Sequence, residues 1–470
     1  MNNGETVKKI TLKCAVFVAC FIVFFTAMIF FKLVCMAGVT DFFSRERITV
    51  LKNRPTSFTR DVIVDLTFIK FVGGIQILTK NILQGIIKKR PDWRLIFLVS
   101  ECTNKSFLNF ASSSENVKTI FVHPKKGFFI LDLVFRWLNF VTLGFMESKL
   151  QQLIFFDALF ADNSCDLIWD PAAGQNTAAF VTPMVCTVHD LAYKDIGALY
   201  PPFGVKLAHI NMSASVKYAE KIITVSDFTK RRLREEFRLP ESKIEKIYIK
   251  VANRLKRDAS AEEAKNVLEK YGLKDKEYLI YTSCAWPQKN YSRLMKAFSD
   301  FIRDPANKKA KNIKLLITGN GTKKIAAAGA EKSHLGDRII GLDFVPEKDL
   351  NILMSHALAF IHPSVYEGFG IPVIEAMIAG VPVASSTAGS LPEIAGDAAL
   401  YFDPYSVEEI KKAVEKIVFD GNLRKSLIKL GYRRAEIFTD NDAMIDDYIR
   451  VFEEAMNNGR KNKNRLRKSN

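Results

Sequence analysis

The sequence lacks the paired cysteines that mark a disulfide-stabilised secreted domain or a zinc site. Its seven cysteines are scattered over 470 residues and none forms a C-x-x-C pair, so a reducing compartment is the simpler interpretation. A complete G-x-G-x-x-G fingerprint is also absent, because Lys324 stands where a third glycine would follow Gly319 and Gly321. A nicotinamide-dependent dehydrogenase is therefore poorly supported.

Acidic residues are scarce relative to basic ones. The chain has 51 Asp and Glu against 68 Lys and Arg, a formal net charge of +17. This charge favours acidic partners such as nucleic acid, anionic lipid or a phosphorylated substrate. No nucleic-acid-binding module is recognisable and the charge is spread along the chain, so we expect no nucleic-acid partner.

One long run without charge occurs, at residues 14–31, between Lys13 and Lys32. Eighteen residues are near the lower limit for a membrane-spanning helix, and the span reaches residue 39 if the Lys32 ammonium extends to the interface. We predict a flank at 1–13, a transmembrane anchor at 14–39 and a connector at 40–60; a cleaved signal peptide is the alternative. Basic residues after the run outnumber those before it, which predicts a single-pass membrane protein with its bulk in the cytoplasm.

The remainder alternates short apolar runs with amphipathic patterns, as parallel α/β sheets do. The runs fall into two series, at 61–66, 95–99, 167–169, 185–188 and 222–225, and at 278–281, 315–317, 358–361, 381–384 and 400–402. We therefore predict an α/β protein with two Rossmann-like, doubly wound domains, at 61–252 and 253–438.

Three further segments have a distinct composition. Residues 439–456 have the spacing of an amphipathic helix, and the basic tail at 457–470 is expected to be disordered, with attraction to anionic lipid as a second interpretation. Residues 127–144 are dense in apolar side chains. They favour a buried domain helix, with a helix lying on lipid as the alternative.

The segment at 366–377 reads YEGFGIPVIEAM and places two glutamates eight positions apart around a glycine-rich turn. Gly368 and Gly370 allow a tight turn with exposed amides, and Pro372 suits the first turn of a helix. A loop that leads into a helix N-terminus is a site for anions. Glu367 and Glu375 could then both touch one ligand that carries phosphates and hydroxyls.

This segment resembles the E-x7-E motif of family-four retaining glycosyltransferases of GT-B fold, the group 1 glycosyltransferases. Its sequence is most like that of bacterial mannosyltransferases of surface polysaccharide assembly. Five other stretches resemble the family in the same order, namely 187–190, 221–229, 283–290, 319–321 and 390–397. The resemblance covers residues 61–438 and is strongest from 278 onward.

The resemblance implies two facing domains and the transfer of a hexose, with retention, from a nucleotide-diphosphate sugar bound in the cleft between them. Glu367 and His189 would be the catalytic residues, with Glu367 meeting the sugar and His189 orienting it. The donor-binding residues would be Lys289, Gly319, Gly321, Gly368, Phe369, Gly370, Ile371 and Glu375, with the glycine turn at Gly73 and Gly74. Family members usually carry an arginine near the lysine, where this chain has Cys284 and Gln288.

The resemblance implies no metal or other cofactor, because family members hold the diphosphate with cations and helix dipoles. The one D-x-D match, at Asp440 and Asp442, is interpreted as the N-cap of the last helix. The expected partners are a nucleotide sugar, with GDP-mannose as the guess, a lipid-linked or saccharide acceptor, and membrane lipids. Because the arginine is absent, a non-catalytic, sugar-nucleotide-binding scaffold of a membrane glycan-assembly complex remains the alternative.

Overall fold

The computed structural model describes residues 55–66, 73–99, 103, 105–111, 114–121, 165–173, 182–251 and 259–469. The predicted anchor at 14–39, most of the connector and the apolar segment at 127–144 lie outside these residues. Among the residues that are described, no helix combines the length and the apolar character needed to cross a membrane.

Two parallel sheets form the framework, one in each half of the chain. The N-terminal sheet has the order β3-β2-β1-β4-β5-β6-β7 and consists of β1 (Arg60–Asp65), β2 (Trp93–Val99), β3 (Val117–Phe121), β4 (Leu167–Asp170), β5 (Met184–Val188), β6 (Lys221–Thr224) and β7 (Ile244–Lys246). The C-terminal sheet has the order β10-β9-β8-β11-β12-β13 and consists of β8 (Tyr278–Thr282), β9 (Lys314–Thr318), β10 (Ile339–Leu342), β11 (Ala359–His362), β12 (Val383–Ser386) and β13 (Ala399–Phe402). Both contain the 3-2-1-4-5-6 order of a dinucleotide-binding sheet, which confirms the two predicted Rossmann-like domains.

Helices alternate with the strands along the chain. In the N-terminal half they are α1 (Gly74–Lys89), α2 (Lys105–Leu108), α3 (Ala192–Asp195), α4 (Pro202–Tyr218) and α5 (Asp227–Phe237). In the C-terminal half they are α6 (Ala261–Lys270), α7 (Tyr291–Arg303), α8 (Thr322–Ser333), α9 (Glu347–Ser355), α10 (Ile371–Ile378), α11 (Leu391–Ala395), α12 (Val407–Phe419), α13 (Gly421–Ala435) and α14 (Asn441–Ser469). The central strands are mostly apolar because helices cover both faces of the sheets; all seven residues of β2, for example, are buried.

The last helix, α14, belongs in space to the N-terminal domain. The Trp169 ring on β4 packs against Tyr448 and Phe452 of α14, with ring centroids 5.6 and 5.4 Å apart. The Ala443 amide donates to Asp440 Oδ1 at 2.9 Å, which confirms the N-cap interpretation of the D-x-D match. The helix continues to Ser469, so the tail expected to be disordered from 457 is helical; it contains no proline and is rich in the helix formers Lys and Arg.

A buried ion pair joins the first two strands of the N-terminal sheet. Arg94 Nε donates to Asp61 Oδ1 at 2.8 Å and Arg94 Nη2 to Oδ2 at 2.5 Å, and both side chains are almost fully buried. We expect Arg94→Met to lower the free energy of unfolding by about 3–5 kcal/mol, because it leaves the Asp61 carboxylate buried without its cation. Urea unfolding followed by tryptophan fluorescence measures this, since Trp93 and Trp169 lie in the same core.

The matched control is Arg450→Met, which removes an exposed arginine that pairs with Asp447 and Glu454 on its own helix. Exposed pairs of this kind contribute roughly 0–1 kcal/mol. Equal destabilisation by the two variants would contradict the role given to the Arg94–Asp61 pair.

Candidate active site

The site lies where the carboxyl ends of the two sheets meet, as expected for open α/β folds. The loop after β11 leads into α10 and carries Glu367 and Gly368. It contacts the loops that follow β5 and β6 of the N-terminal sheet, at His189 and Ser226. The structure thus brings together the catalytic residues and the central donor-binding turn that the sequence predicted.

The centre of the site is a buried group of three side chains around the Glu367 carboxylate. The Lys289 ammonium lies 2.7 Å from Glu367 Oε1, and His362 Nε2 lies 3.1 Å from the same oxygen. The exposed fractions are 15% for Lys289, 12% for Glu367 and 0% for His362. Two partners therefore converge on one oxygen of a carboxylate that is shielded from water.

The electrostatics of this group follow from burial and charge pairing. Burial alone would raise the pKa of Glu367, but the Lys289 charge and the hydrogen bond from His362 outweigh it and hold that pKa well below its usual range. Burial would lower the pKa of Lys289, but Glu367 outweighs it and raises that pKa. Burial lowers the pKa of His362, so its ring is neutral at pH 7. The group contains one cation, one anion and one neutral imidazole.

The turn after Glu367 presents backbone amides. The helix α10 begins at Ile371, after Gly370 in a left-handed conformation with φ of 101°. The amides of residues 368–371 donate to no acceptor among the described residues. Free amides at a helix N-terminus attract anions, and Lys289 adds a full positive charge beside them. This arrangement can hold a diphosphate, and the half-buried Glu375 follows within α10.

Gly368 lies at a point of close contact between the domains. A Cβ atom there would be 2.0 Å from the His189 carbonyl oxygen and 2.7 Å from Asp190 Cβ. The Gly368 carbonyl accepts a hydrogen bond from Ser226 Oγ at 2.7 Å, while that hydroxyl also caps α5 by accepting from the Thr229 amide. Only glycine fits here, because any side chain would meet the backbone of the other domain.

His189 follows β5 and faces this turn. Its Nε2 lies 2.8 Å from the Pro171 carbonyl oxygen, and burial lowers the pKa of the ring, so neutral His189 donates Nε2–H to Pro171. The Nδ1 atom is the ring nitrogen that remains for a ligand. Burial raises the pKa of its neighbour Asp190, and the Glu367 charge raises it further.

The second glycine turn lies beside the Lys289 loop. Gly319 has φ of 135°, and a Cβ atom there would be 2.0 Å from the Ser283 carbonyl oxygen. The Ala285 amide donates to the Asn320 carbonyl at 2.9 Å, which ties the turn at 319–321 to the loop after β8. These two loops are therefore held together at the carboxyl end of the C-terminal sheet, and the role of Gly319 and Gly321 in donor binding stays a prediction.

Two predicted donor-binding positions mediate contact between the domains. The Phe369 ring is buried and packs near Tyr248 and Phe438, with centroids 6.1 and 5.8 Å away. Ile371 Cδ1 lies 3.7 Å from the position of a Cβ on Gly74, so the turn at Gly73 and Gly74 abuts the start of α10. For Phe369, the structure indicates packing rather than an open ligand-facing surface.

The positions of the missing family arginine hold no cation. Cys284 is half-buried, and burial raises the pKa of its thiol. The Gln288 Oε1 atom is buried without a hydrogen-bond partner among the described residues. In this loop the positive charge facing Glu367 comes from Lys289.

Sequence reasoning missed several residues that build the site. His362 is the first, although it directly follows the predicted strand at 358–361 and lies five positions before Glu367. Glu393 is another, since its carboxylate accepts the Asp227 and Phe228 amides at 2.7 and 2.8 Å and so binds the N-terminus of α5 in the other domain. Tyr366 OH donates to Asp195 Oδ2 at 2.9 Å, again across the domains.

The two facing Rossmann-like domains define a GT-B-like fold, and comparison with solved structures supports this. The structure of Anabaena Alr3699/HepE in complex with UDP and glucose covers 84% of this chain and all of that chain, with a TM-score of 0.62 at 15% identity. WaaG, a glycosyltransferase involved in lipopolysaccharide biosynthesis, covers 83% of this chain and 99% of its own, with a TM-score of 0.61 at 15% identity.

Sequence comparisons show similarity to two glycosyltransferase families and to bacterial mannosyltransferases. Residues 263–434 match Glycosyl transferases group 1, and residues 73–249 match Glycosyltransferase Family 4. Escherichia coli O-antigen chain mannosyltransferase B is 30% identical over 257 residues, 54% of this chain and 66% of the relative. Salmonella typhimurium O-antigen chain mannosyltransferase RfbU is 28% identical over 252 residues, which cover 52% of this chain and 63% of the relative. The chain spans just under two thirds of the length of these relatives, and its two halves are similar to these two glycosyltransferase families.

Proposed function

We propose that the chain transfers a hexose, with retention of anomeric configuration, from a nucleotide-diphosphate sugar to a saccharide acceptor carried on a lipid. The observation that carries the proposal is the buried Lys289–Glu367 pair beside the amides of residues 368–371, which have no acceptor among the described residues, between two Rossmann-like sheets. Its setting in surface glycan synthesis and GDP-mannose as donor rest on the similarity to O-antigen mannosyltransferases. A nucleotide-sugar ligand agrees with the UDP-glucose complex of the structural neighbour.

The chemistry requires stabilisation of a departing diphosphate more than a strong base. Lys289 and the amides at 368–371 would bind the diphosphate oxygens as negative charge develops on them. Glu367 stays ionised and would face the positive charge that develops at the anomeric carbon. Glu375 would accept hydrogen bonds from the ribose hydroxyls, and His189 would use Nδ1 to orient the sugar. The direct contacts between the domains at Gly368 would exclude water, which otherwise competes as the acceptor.

The proposed location is the cytoplasmic side of a membrane, with the N-terminal anchor holding the enzyme near its lipid-linked acceptor. This part of the proposal rests on the apolar run at 14–31 and the basic residues that follow it. Carbonate extraction of membranes from cells that produce the full chain tests it, with a variant lacking residues 1–40 as the control. Release of the full chain by carbonate would contradict it.

A panel of nucleotide sugars tests the function. A ligand that binds only the folded state stabilises it by about 2.7 kcal/mol at one hundred times its Kd, so the true donor is expected to raise the Tm. Transfer to a lipid-linked saccharide is then followed by mass spectrometry, and the product's anomeric configuration by NMR. An inverted configuration would contradict the proposed stereochemistry, and the absence of both binding and transfer would contradict the function.

The proposal requires no metal ion, because Lys289 and the turn amides supply the positive potential. We therefore expect the transfer rate to be unchanged within about twofold in EDTA. Added Mg²⁺ or Mn²⁺ serves as the comparison. A loss of activity in EDTA that is restored by one of these ions would show that a metal completes the site.

The alternative is a sugar-nucleotide-binding scaffold without catalytic activity. Cys284 and Gln288 favour it, since they remove one of the two cations that family members usually place near the diphosphate. A scaffold would show the thermal shift but neither transfer nor hydrolysis of the donor. Turnover that is abolished by Glu367→Ala would exclude it.

A further inference from the structure

The buried His362 has a feature that the proposed chemistry does not use. Its ring is 0% exposed, its Nε2 atom contacts Glu367 Oε1, and its Nδ1 atom has no hydrogen-bond partner among the described residues. An unpartnered buried nitrogen is costly in free energy, so the position would be better filled by an apolar side chain if packing were its whole role. The surroundings are apolar, since the ring stacks on Phe360 and meets Tyr281 edge-on.

The proton on the ring is fixed by these contacts. An ionised Glu367 carboxylate only accepts hydrogen bonds, so the Nε2 atom of His362 must carry the hydrogen. A second proton at Nδ1 would create a charged N–H group in an apolar pocket with no acceptor. The ring is therefore held as the neutral Nε2–H tautomer and acts as a donor of constant direction.

The contacts on Glu367 fall on one side of its carboxylate. Lys289 and His362 both bind Oε1, whereas no described residue binds Oε2. Oε1 is therefore the anchored oxygen and Oε2 is the oxygen presented to a ligand. When a diphosphate enters, Lys289 is attracted to it and its hold on Glu367 weakens, while His362 cannot move because its ring is fully enclosed.

We propose that His362 is a positioning residue, which keeps the Glu367 carboxylate oriented toward the sugar while Lys289 turns to the donor diphosphate. This inference rests on the proposed function for its kinetic consequences. The hydrogen-bond geometry that it describes does not depend on turnover.

The kinetic test compares His362→Leu with His362→Gln. Leucine fills the apolar pocket without offering a hydrogen-bond donor, whereas glutamine can place an N–H group near the position of His362 Nε2. We expect His362→Leu to lower kcat by about 10- to 100-fold while the Tm is unchanged or higher, since the variant loses a donor to a charged acceptor and also removes the orphaned nitrogen. The Kd for the nucleotide is expected to change by less than about threefold, because Lys289 and the turn amides remain. Activity within about fivefold of wild type is expected for His362→Gln.

A pH profile separates positioning from packing. His362→Leu removes a hydrogen bond that lowers the pKa of Glu367. The acidic limb of the kcat profile is therefore expected to move to higher pH in this variant. The other titratable groups that face Glu367 are unchanged by the substitution and are Lys289, Asp190, Tyr200, Tyr281 and Cys284. A variant with lower Tm, normal kcat and an unmoved profile would reduce His362 to a packing residue and overturn the proposal.

A measurement without substrate keeps this inference distinct from the proposed function. The chain has six histidines, and the ¹⁵N signals of His362 are identified by their loss in His362→Gln. We expect one neutral tautomer, protonated at Nε2, with no titration between about pH 5.5 and 8. If no nucleotide sugar is turned over but this signal is found, the enzyme assignment fails and the geometry stands. A ring that titrates in this range, or carries its proton at Nδ1, overturns the inference itself.

Discussion

Lys289→Met is expected to lower kcat/KM by about 10²- to 10³-fold, the usual effect of removing a group that stabilises developing negative charge. The substitution keeps a linear, unbranched side chain and deletes the ammonium group that lies 2.7 Å from Glu367 Oε1. The departing diphosphate would then rely on backbone amides alone, because Cys284 and Gln288 supply no second cation. Initial rates over a range of donor concentrations measure the effect.

The free energy of unfolding provides an independent test of the Lys289–Glu367 pair. Lys289→Met leaves the Glu367 carboxylate buried with His362 as its remaining partner, so we expect a destabilisation of about 3–5 kcal/mol. Adding Glu367→Gln removes the unpaired charge, and the double variant is expected to recover much of the stability without recovering activity. We therefore expect the pair to be strongly coupled in stability, while each single substitution is expected to abolish most of the activity.

Lys296→Met is the matched control. Lys296 pairs with Asp300 at 2.6 Å, on one face of α7, where its side chain is 64% exposed. Solvent screens such pairs, so the variant should keep wild-type kcat/KM and lose at most about 0.5 kcal/mol of stability. Equal effects at positions 289 and 296 would mean that burial at the cleft is not what gives Lys289 its role.

Gly368→Ala is expected to lower kcat/KM by at least about 100-fold, because a displacement of 1 Å at the reacting centre can have an effect of this size. The added methyl would lie 2.0 Å from the His189 carbonyl oxygen, a backbone atom that no rotamer change can move. Either the Gly368 turn or the contact between the domains must shift. The amides at 368–371 and the Glu367 carboxylate would then lose their alignment with Lys289.

Gly204→Ala serves as the control for a glycine without such a contact. A Cβ atom at Gly204, in the first turn of α4, meets no heavy atom within 4 Å. This variant should keep full activity. Small-angle scattering and the Tm show whether Gly368→Ala separates the domains or acts locally, and retention of wild-type kcat/KM by Gly368→Ala would contradict the close contact seen here.

The sequence predicted the middle of each sheet better than its edges. Strands β1, β2 and β4 contain the apolar runs 62–64, 95–99 and 167–169 because both of their faces are buried, and such runs are readily recognised even beside the buried charges of Asp61 and Arg94. The three strands that were missed, β3, β7 and β10, all lie at sheet edges. Edge strands are half-exposed and admit charged residues such as Lys118 and Glu245, so their pattern does not stand out from that of loops.

The site was predictable as a set of residues but not as a set of contacts. The resemblance to the family pointed to Glu367, Lys289 and His189, and the structure places all three in loops at the carboxyl ends of the two sheets. The pairing of Lys289 with Glu367 and the contribution of His362 depend on distances between loops far apart in sequence. The same holds for Glu393, whose role emerges only from the two amides of α5 that it binds.

The packing of α14 on Trp169 has a consequence for how the protein is made. The N-terminal core includes Tyr448 and Phe452, about 200 residues beyond the last N-terminal strand, so it cannot be completed until the ribosome has synthesised the end of the chain. At a synthesis rate of roughly 5–20 residues per second, the apolar surface around Trp169 that α14 covers stays without α14 for on the order of ten seconds or longer. Folding of the first half is therefore tied to completion of the second, and we expect truncated nascent chains to depend on chaperones.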